Sequence, residues 1–252
     1  MIVIKGGNNT MLALNQIHYG DCYKLIKDIP DKYIDLIHTD PPYSFDESGS
    51  GGCFGKKERL YHKELESISE GIQNSLLEEF CRVLKKINIY IWCSKNQLKQ
   101  YINFFESRGA STELLTWHKT NPIPTCNNKY LSDTEYCLFF REKSVPLHGK
   151  FETKRKYYIG SSNVEDKKLW KHPAIKPLSI VKNLIFNSSI EENIVLDCFS
   201  GSGTTAIASI QLNRNFIAIE NNPKHYKASL ERLYSEISQI KLPIMKGGLY
   251  AV

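Results

Sequence analysis

The feature that most constrains the fold is a strand, a glycine turn, a helix and a second strand, in that order, over residues 193–220. An apolar strand runs into Phe199-Ser-Gly-Ser-Gly-Thr204, an apolar helix follows, and the next strand ends at Glu220. Two glycines in such a turn let the backbone bend sharply and approach a ligand closely. A carboxylate about twenty residues further on is placed to bind the two hydroxyls of a ribose. This unit therefore predicts a parallel α/β sheet that binds a nucleoside-like ligand.

Predicted strands and helices alternate along the rest of the chain. Apolar runs at 33–38, 88–93, 113–117 and 135–140 have the length of buried strands, and the stretches 69–86, 96–107, 177–187 and 228–240 have helical patterns. This alternation is typical of a Rossmann-like, doubly wound α/β fold, in which a mostly parallel sheet carries helices on both faces. We expect residues 11–240 to form a single domain.

Composition excludes several classes of protein. With 41% hydrophobic and 24% charged residues, the chain can bury a core and is not wholly disordered. No stretch approaches the roughly 18 apolar residues of a membrane span, and the first residues lack the features of a signal peptide. The seven cysteines include no C-x-x-C pair, which favours a reduced, cytoplasmic setting over disulfides or a zinc site.

The excess positive charge lies in one segment. Residues 141–182 carry a net charge of +7 and the remainder carries −1, which together give the +6 of the chain. Within this segment Lys154-Arg155-Lys156 is followed directly by two tyrosines. Cations mixed with aromatic rings favour a polyanion such as DNA or RNA, although a solvated lysine-rich surface without a partner has a similar composition.

A second turn, Asp40-Pro41-Pro42-Tyr43, indicates a ligand-binding site. It follows the predicted strand 33–38, so it lies at the carboxyl edge of the sheet, where α/β folds bind ligands. Consecutive prolines stiffen the turn and remove two backbone donors. The turn can hold a flat heterocycle with an exocyclic amine: the amine donates to the Asp40 carboxylate and the Pro41 carbonyl, and Tyr43 stacks on the ring. On its own the string is also compatible with an ordinary surface turn.

Together these motifs resemble those of amino-methylating DNA methyltransferases that use S-adenosylmethionine. The order matches the permuted β subgroup, in which the catalytic turn precedes the cofactor turn. The likeness covers roughly residues 14–235 and implies a class I methyltransferase fold. The matching strings are Gly20-Asp21, Asp40-Pro-Pro-Tyr43, Trp117-His-Lys-Thr-Asn-Pro-Ile-Pro124, His172-Pro-Ala-Ile-Lys-Pro177 and Phe199-Ser-Gly-Ser-Gly-Thr204.

The resemblance implies roles for individual residues. Asp40, Pro41, Pro42 and Tyr43 would form the catalytic turn, with Asp40 acting by positioning and charge stabilisation. Asp21 would meet the adenine of the cofactor and Glu220 its ribose. Neither a metal nor a covalent enzyme intermediate is required. The full set expected to bind S-adenosylmethionine is Asp21, His172, Lys176, Asp197, Phe199, Ser200, Gly201, Ser202, Gly203, Thr204, Thr205, Glu220 and Asn221.

The implied macromolecular partner is double-stranded DNA with the target base flipped out of the stack. We expect a mobile glycine-rich loop at 44–66 to contribute Lys56, Lys57 and Arg59. A short basic recognition insertion at 142–171 would contribute Lys154, Arg155 and Lys156. The family usually has a longer region there, so sequence reading would be limited to a short site, or shared with the glycine-rich loop or with a second subunit. A homodimer, a cognate restriction endonuclease and a cytoplasmic, nucleoid-associated location are further expectations; no membrane is involved.

Asp40 favours adenine N6 as the methylated atom, since cytosine-N4 relatives usually have serine before the two prolines. Cytosine-N4 methylation stays open, as does a glutamine- or RNA-directed methyltransferase. From other classes, Gly201-x-Gly203-x-x-Ala206 also fits an NAD-dependent oxidoreductase, and the basic segment fits a DNA-binding module without catalysis.

Overall fold

One eight-stranded sheet organises the computed structural model, which describes residues 11–43, 71–122, 124, 130–162 and 175–246. The strands lie in the order β1-β8-β7-β2-β3-β5-β4-β6. All neighbours are parallel except β5, which runs antiparallel to both β3 and β4. The strands are β1 Gln16–Tyr19, β2 Leu36–Thr39, β3 Asn88–Cys93, β4 Ser111–Lys119, β5 Thr134–Arg141, β6 Tyr157–Gly160, β7 Ile194–Asp197 and β8 Asn215–Glu220.

Helices cover both faces of the sheet. They are α1 Cys22–Leu25, α2 Asn74–Val83, α3 Leu98–Glu106, α4 Leu178–Ser188, α5 Thr204–Gln211 and α6 Pro223–Lys246, with short 3-10 turns at Ile26–Asp28, Lys95–Gln97 and Phe151–Lys154. Side chains of β3 alternate between two core clusters: Ile89 and Ile91 pack with α2 and α3, whereas Tyr90 and Trp92 pack with α4. The predicted doubly wound α/β fold is therefore confirmed.

The sheet changes winding direction between β7 and β2. From β2 the chain crosses through α2 to β3 on one side, and from β7 it crosses through α5 to β8 on the other. The two strands are parallel neighbours, with Ile37 opposite Leu196. Such a switch point leaves a crevice at the carboxyl ends of the two strands, which is where open α/β sheets bind ligands.

Several elements differ from the sequence prediction, and the short helix α1 was not predicted. β1 and β6 were not predicted; both are four-residue edge strands whose side chains are largely exposed, so they lack the apolar run that marks an interior strand. α6 extends well beyond the predicted 228–240. The predicted loop at 44–66 lies outside the described residues, and the single-domain boundary at 11–240 stays a prediction. No helix in the described ranges is long and apolar enough to cross a membrane.

Candidate active site

Two predicted turns meet at the switch point. Asp40 follows directly after β2, and the glycine turn 198–203 follows β7. Two side-chain hydrogen bonds extend from β2: Thr39 Oγ1 donates to Asp197 Oδ1 of β7 over 3.1 Å, and His38 Nδ1 lies 2.9 Å from Thr205 Oγ1 of α5. The relative position of the two turns is thus fixed by buried polar contacts as well as by the backbone ladder.

His38 is held as a neutral imidazole. Trp92 Nε1 donates to its Nε2 over 3.1 Å, which leaves Nδ1 as the protonated nitrogen that donates to Thr205. Burial, together with the nearby Lys176 ammonium, lowers the pKa of His38 to about 3. A neutral, fully hydrogen-bonded histidine links β3, β2 and α5, so it orients the site instead of titrating near neutral pH.

The glycine turn is closed by Glu220. Gly201 N donates to Glu220 Oε2 over 2.6 Å, and Asn222 N donates to Oε1 over 2.8 Å. Gly201 and Gly203 have φ angles of 51° and 76°, a region that side chains disfavour. A Cβ on Gly203 would also lie 3.3 Å from the Cβ of Ser229. These contacts explain why glycine is needed at both positions.

The same edge carries a second carboxylate. β1 pairs with β8 so that Tyr19 lies opposite Glu220, which places Asp21 just beyond the neighbouring strand end. Asp21 caps α1 by accepting from Tyr23 N over 3.0 Å. Two acids on adjacent strand ends, with a glycine turn between β7 and α5, form the arrangement predicted for an adenosine-containing cofactor.

The residues at this edge fit such a cofactor chemically. Glu220 oxygens each accept one backbone N–H and retain a lone pair for a ribose hydroxyl. The buried Ser200 hydroxyl has no hydrogen-bond partner in the part of the chain that the structure describes. A buried polar atom without a partner is uncommon and is satisfied when a ligand supplies one.

Asp40 lies within a buried network of four charges. Lys176 Nζ is 2.5 Å from Asp40 Oδ2 and 3.0 Å from Glu135 Oε2, and Lys119 Nζ is 2.6 Å from Glu135 Oε1. The Tyr43 hydroxyl accepts from Lys176 Nζ over 3.1 Å and donates to Glu135 Oε2 over 3.3 Å. Acid and base alternate along this chain of contacts, from Asp40 to Lys119.

Burial and pairing act in opposite directions on these groups. Burial raises the pKa of Asp40, against the lowering effect of Lys176. Burial alone would raise the pKa of Glu135, but the ammonium groups of Lys176 and Lys119 lower it to about 2. For Lys176, burial would lower the pKa, but Asp40 and Glu135 raise it instead. Lys176 and Glu135 are therefore both charged, and Asp40 is the member of the network closest to neutralisation.

Asp197, below the glycine turn, has an unusual environment. Burial raises its pKa to about 7, although hydrogen bonds from Thr205, the Phe199 amide and Thr39 favour the ionised form. Its Oδ1 receives both Thr39 Oγ1 and Phe199 N, each over 3.1 Å. The residue joins the two turns from beneath and shapes the start of the cofactor turn.

The structure brings together most of the predicted site residues, with two differences in detail. Lys176, predicted to bind the cofactor, contacts Asp40 of the catalytic turn. The hydroxyls of Ser202 and Thr204 are contacted by Arg232 Nη1 of α6, over 3.1 and 2.9 Å, so these side chains pack the turn onto the helix. Asn221 follows Glu220 at the same edge. His172, Lys56, Lys57 and Arg59 lie outside the described residues.

Three residues of this site carry charges that the sequence did not single out: Glu135, Lys119 as an ionic partner, and Arg232. Glu135 belongs to the predicted strand 135–140, and its polar character next to an apolar run was the available signal. Within the described ranges, no group of three His, Cys, Asp or Glu side chains could hold a metal ion. The buried thiols of Cys137 and Cys198 belong to the core clusters.

The basic cluster Lys154-Arg155-Lys156 lies at the edge of the sheet, at the start of β6. Its side chains are exposed, and Lys156 forms an ion pair with Glu113 of β4. Strand register places Lys156 level with Asp40, four strands away along β2-β3-β5-β4-β6. At the usual spacing this separation is roughly 19 Å, about the width of a DNA duplex.

The fold and this pair of turns define a methyltransferase that acts on DNA. A family model described as DNA methylase matches residues 34–231, and the chain belongs to that family. The DNA methyltransferase predicted from the sequence is thereby confirmed.

Individual relatives and solved structures that are similar to the chain are also methyltransferases. The chain is 27% identical to the type II methyltransferase M2.MboI of Moraxella bovis, over 89% of each protein. It is 29% identical to M2.LlaDCHI of Lactococcus lactis subsp. cremoris, over 85% of this chain and 87% of the relative. The solved complex of M1.HpyAVI with SAM superposes with a TM-score of 0.65 at 26% identity, over 86% of this chain and 98% of that one. The cytosine-N4-specific PvuII methyltransferase, at 17% identity and a TM-score of 0.66, shares the fold.

Proposed function

We propose that this protein transfers a methyl group from S-adenosylmethionine to the exocyclic N6 of adenine in double-stranded DNA. The observation that carries the proposal is the Asp40-Pro-Pro-Tyr43 turn, placed beside the glycine turn at the switch point and tied to it through Thr39 and Asp197. The relative M1.HpyAVI was solved with SAM, which supports the same methyl donor here.

The cofactor edge is suited to hold the adenosine part of that donor. Glu220 would accept from the ribose hydroxyls, Asp21 would face the adenine, and Ser200 would find a partner for its buried hydroxyl. When bound, S-adenosylmethionine would supply a methyl group activated by a positively charged sulfur; as the N–C bond forms the S–C bond would break, which leaves neutral S-adenosylhomocysteine as the product, and the methylated amine would lose one proton to solvent. The closeness of the glycine turn to Asp40 is what brings the two halves of the site together.

Asp40 and Pro41 would act on the target amine. The lone pair of an exocyclic amine is delocalised into the ring, so the nitrogen is a poor nucleophile. Hydrogen bonds from the amine to the Asp40 carboxylate and the Pro41 carbonyl would favour the tetrahedral nitrogen that attacks, and the carboxylate would stabilise the positive charge that develops on it. The turn is fixed from behind, because Gln97 Nε2 donates to the Pro42 carbonyl over 3.4 Å.

Adenine is favoured over cytosine by the acid at position 40. An aspartate can accept a hydrogen bond and neutralise charge on the amine, whereas the serine usual in cytosine-N4 relatives offers only a neutral hydroxyl. The shared fold with the PvuII enzyme carries no information about the base. Cytosine-N4 methylation is therefore the alternative that the first experiment has to separate.

The function is tested by mass spectrometry of nucleosides after incubation of the protein with S-adenosylmethionine and unmethylated duplex DNA of mixed sequence. We expect N6-methyladenine, and sequencing of the methylated product would then give the recognition site. N4-methylcytosine would retain the fold and cofactor but overturn the role given to Asp40. Absence of any methylated base would contradict the proposal; NADH binding would then favour the oxidoreductase alternative.

We expect the basic cluster to contact DNA phosphates. Replacing Lys154, Arg155 and Lys156 together with alanine should weaken DNA binding and reduce the slope of log K against log salt by about 2 to 3, because each phosphate contact contributes close to 0.9. The measurement is DNA affinity at several salt concentrations. Replacing the exposed Lys27, Lys85 and Lys86 with alanine provides a control with the same loss of charge, and an unchanged slope in the variant of the basic cluster would remove that cluster from the interface.

Further partners remain part of the proposal. Relatives bear type II methyltransferase names, which supports a restriction-modification setting with a cognate endonuclease in the cytoplasm. A homodimer would compensate for the short insertion at 142–171 by supplying a second DNA-contacting surface.

A further inference from the structure

The charge network around Asp40 contains a conflict with the proposed chemistry. Lys176 is buried, and its three N–H groups point to Asp40 Oδ2, Glu135 Oε2 and the Tyr43 hydroxyl at 2.5, 3.0 and 3.1 Å. The ammonium thus forms an ion pair with the carboxylate that should accept a hydrogen bond from the target amine. It also places a positive charge close to the nitrogen on which positive charge develops. Both effects oppose methyl transfer unless a second carboxylate also pairs with the Lys176 ammonium.

Glu135 is the second carboxylate that pairs with Lys176. Its side chain is 17% exposed and lies on β5, on the side of Lys176 away from Asp40 in the network. One oxygen accepts from Lys176 and the other from Lys119, so the acid is fixed from two directions. Tyr43 donates to the same oxygen that Lys176 contacts, which connects Glu135 to the aromatic ring expected to stack on the base.

We propose that Glu135 is a positioning residue for methyl transfer: by holding Lys176, with Lys119 as its counter-charge, it leaves Asp40 able to accept the target amine. The inference rests on the proposed function for its catalytic consequence, but the electrostatic coupling it describes exists without substrate. Asp40 remains the catalytic residue, and Glu135 acts through Lys176.

The proposal predicts opposite effects on Asp40 for the loss of Glu135 and for the loss of its second cation, Lys119. In Glu135→Gln, Lys176 has Asp40 as its single carboxylate, so the pKa of Asp40 should fall. In Lys119→Gln, Glu135 keeps Lys176 as its single cation and draws it away, so the pKa of Asp40 should rise. The other titratable groups facing Asp40 are unchanged in both variants; they are Lys176, Tyr43, Cys93, Cys137 and Asp197.

The first measurement is a carboxyl ¹³C NMR titration of Asp40, assigned with Asp40→Asn, in the wild type and both variants. Glu78→Gln is the matched control, because Glu78 lies on α2, outside the site, and forms a surface ion pair with Arg108. Shifts of opposite sign in the two variants and none in the control are expected. An Asp40 titration that is the same in all four proteins would overturn the proposal, whatever the activity.

The second measurement is steady-state kinetics. Glu135→Gln should lower kcat by roughly 10- to 100-fold, the range found when a reacting group is misplaced. The affinity for S-adenosylmethionine should stay the same, and the acidic limb of kcat/KM should move to lower pH because Asp40 ionises more easily. Glu135→Asp, which restores the charge, should recover part of the rate.

A double-mutant cycle separates positioning from general loss of structure. If Glu135 acts through Lys176, the loss of kcat in Glu135→Gln combined with Lys176→Met should be far from the product of the two single losses. Multiplicative losses, or wild-type kcat in Glu135→Gln, would contradict the proposal. A wild type that methylates no adenine but shows the opposed Asp40 shifts would refute the proposed function and still support the coupling.

Discussion

Replacing Asp40 with asparagine should lower kcat by about 10²- to 10³-fold and leave the affinity for S-adenosylmethionine unchanged. The amide keeps the size of the side chain and can still accept one hydrogen bond from the amine, but it has no charge to stabilise the nitrogen as it becomes positive. Loss of one preorganised electrostatic contact in an active site has this magnitude. The measurements are single-turnover methylation of duplex DNA and calorimetric titration with S-adenosylmethionine.

The control for this substitution is Asp31→Asn. Asp31 has a largely exposed side chain in a surface ion pair with Arg82, so the variant should behave as the wild type. Loss of cofactor affinity in Asp40→Asn, with turnover preserved at saturating S-adenosylmethionine, would place Asp40 in the cofactor half of the site and refute its assignment to the target amine.

The wild type should also lose activity on the acid side through Asp40. Because burial raises the pKa of Asp40, its carboxylate is protonated at a higher pH than an exposed aspartate, and the rate should fall as pH decreases through that value. Glu135 and Lys176 keep their charges over the same interval, since their pKa values are shifted the other way. An acidic limb that disappears in Asp40→Asn would identify the group responsible.

The interior of the sheet could be predicted from the sequence, and its edges could not. All side chains of β2 and β3 are buried, and most of them are apolar, so both strands can be recognised from the sequence. β1 and β6 bury few of their side chains and owe their strand conformation to pairing with β8 and β4. That pairing is a long-range property, and no local pattern encodes it.

The two turns of the site could be predicted for a similar reason. Asp40-Pro-Pro-Tyr43 and the glycine turn are contiguous strings in which residue type alone dictates a rigid bend or a tight approach. That the two turns lie close together is harder to predict from the sequence. Thr39 and Asp197 are 158 positions apart and are in contact because β2 and β7 are neighbouring strands. The resemblance to a known family supplied this information, and the sheet order explains it.

The charge network illustrates what local sequence omits. Lys176 belongs to the string His172–Pro177, which the family resemblance assigns to the cofactor, whereas packing of α4 onto the sheet brings its ammonium to Asp40. Glu135 and Lys119 lie at facing ends of the antiparallel pair β5 and β4, near the register pair Trp117 and Glu135. A charged residue at the end of a strand is usually exposed, and only the tertiary structure shows that this one is not.

Replacing Glu220 with alanine should have the opposite kinetic signature to Asp40→Asn. The carboxylate accepts from Gly201 N and Asn222 N and is placed to accept from the ribose, so its loss removes a ligand contact and loosens the glycine turn. Hydrogen bonds to a charged group contribute about 1.5 to 3 kcal/mol, which corresponds to roughly 10- to 150-fold in the Kd for S-adenosylmethionine. We expect kcat at saturating cofactor to change by less than about fivefold, because Asp40 and its partners are intact.

Glu231→Ala provides the matched control, since Glu231 is an exposed acid on α6. Calorimetry gives the Kd of each variant, and methylation of duplex DNA at saturating S-adenosylmethionine gives kcat. A Glu220→Ala protein that binds the cofactor as tightly as the wild type would show that β8 does not contribute the ribose contact. The roles of the two acids would then have to be reassigned. If Asp40 contacts the target amine and Glu220 the cofactor, Asp40→Asn should change mainly kcat and Glu220→Ala mainly the Kd for S-adenosylmethionine.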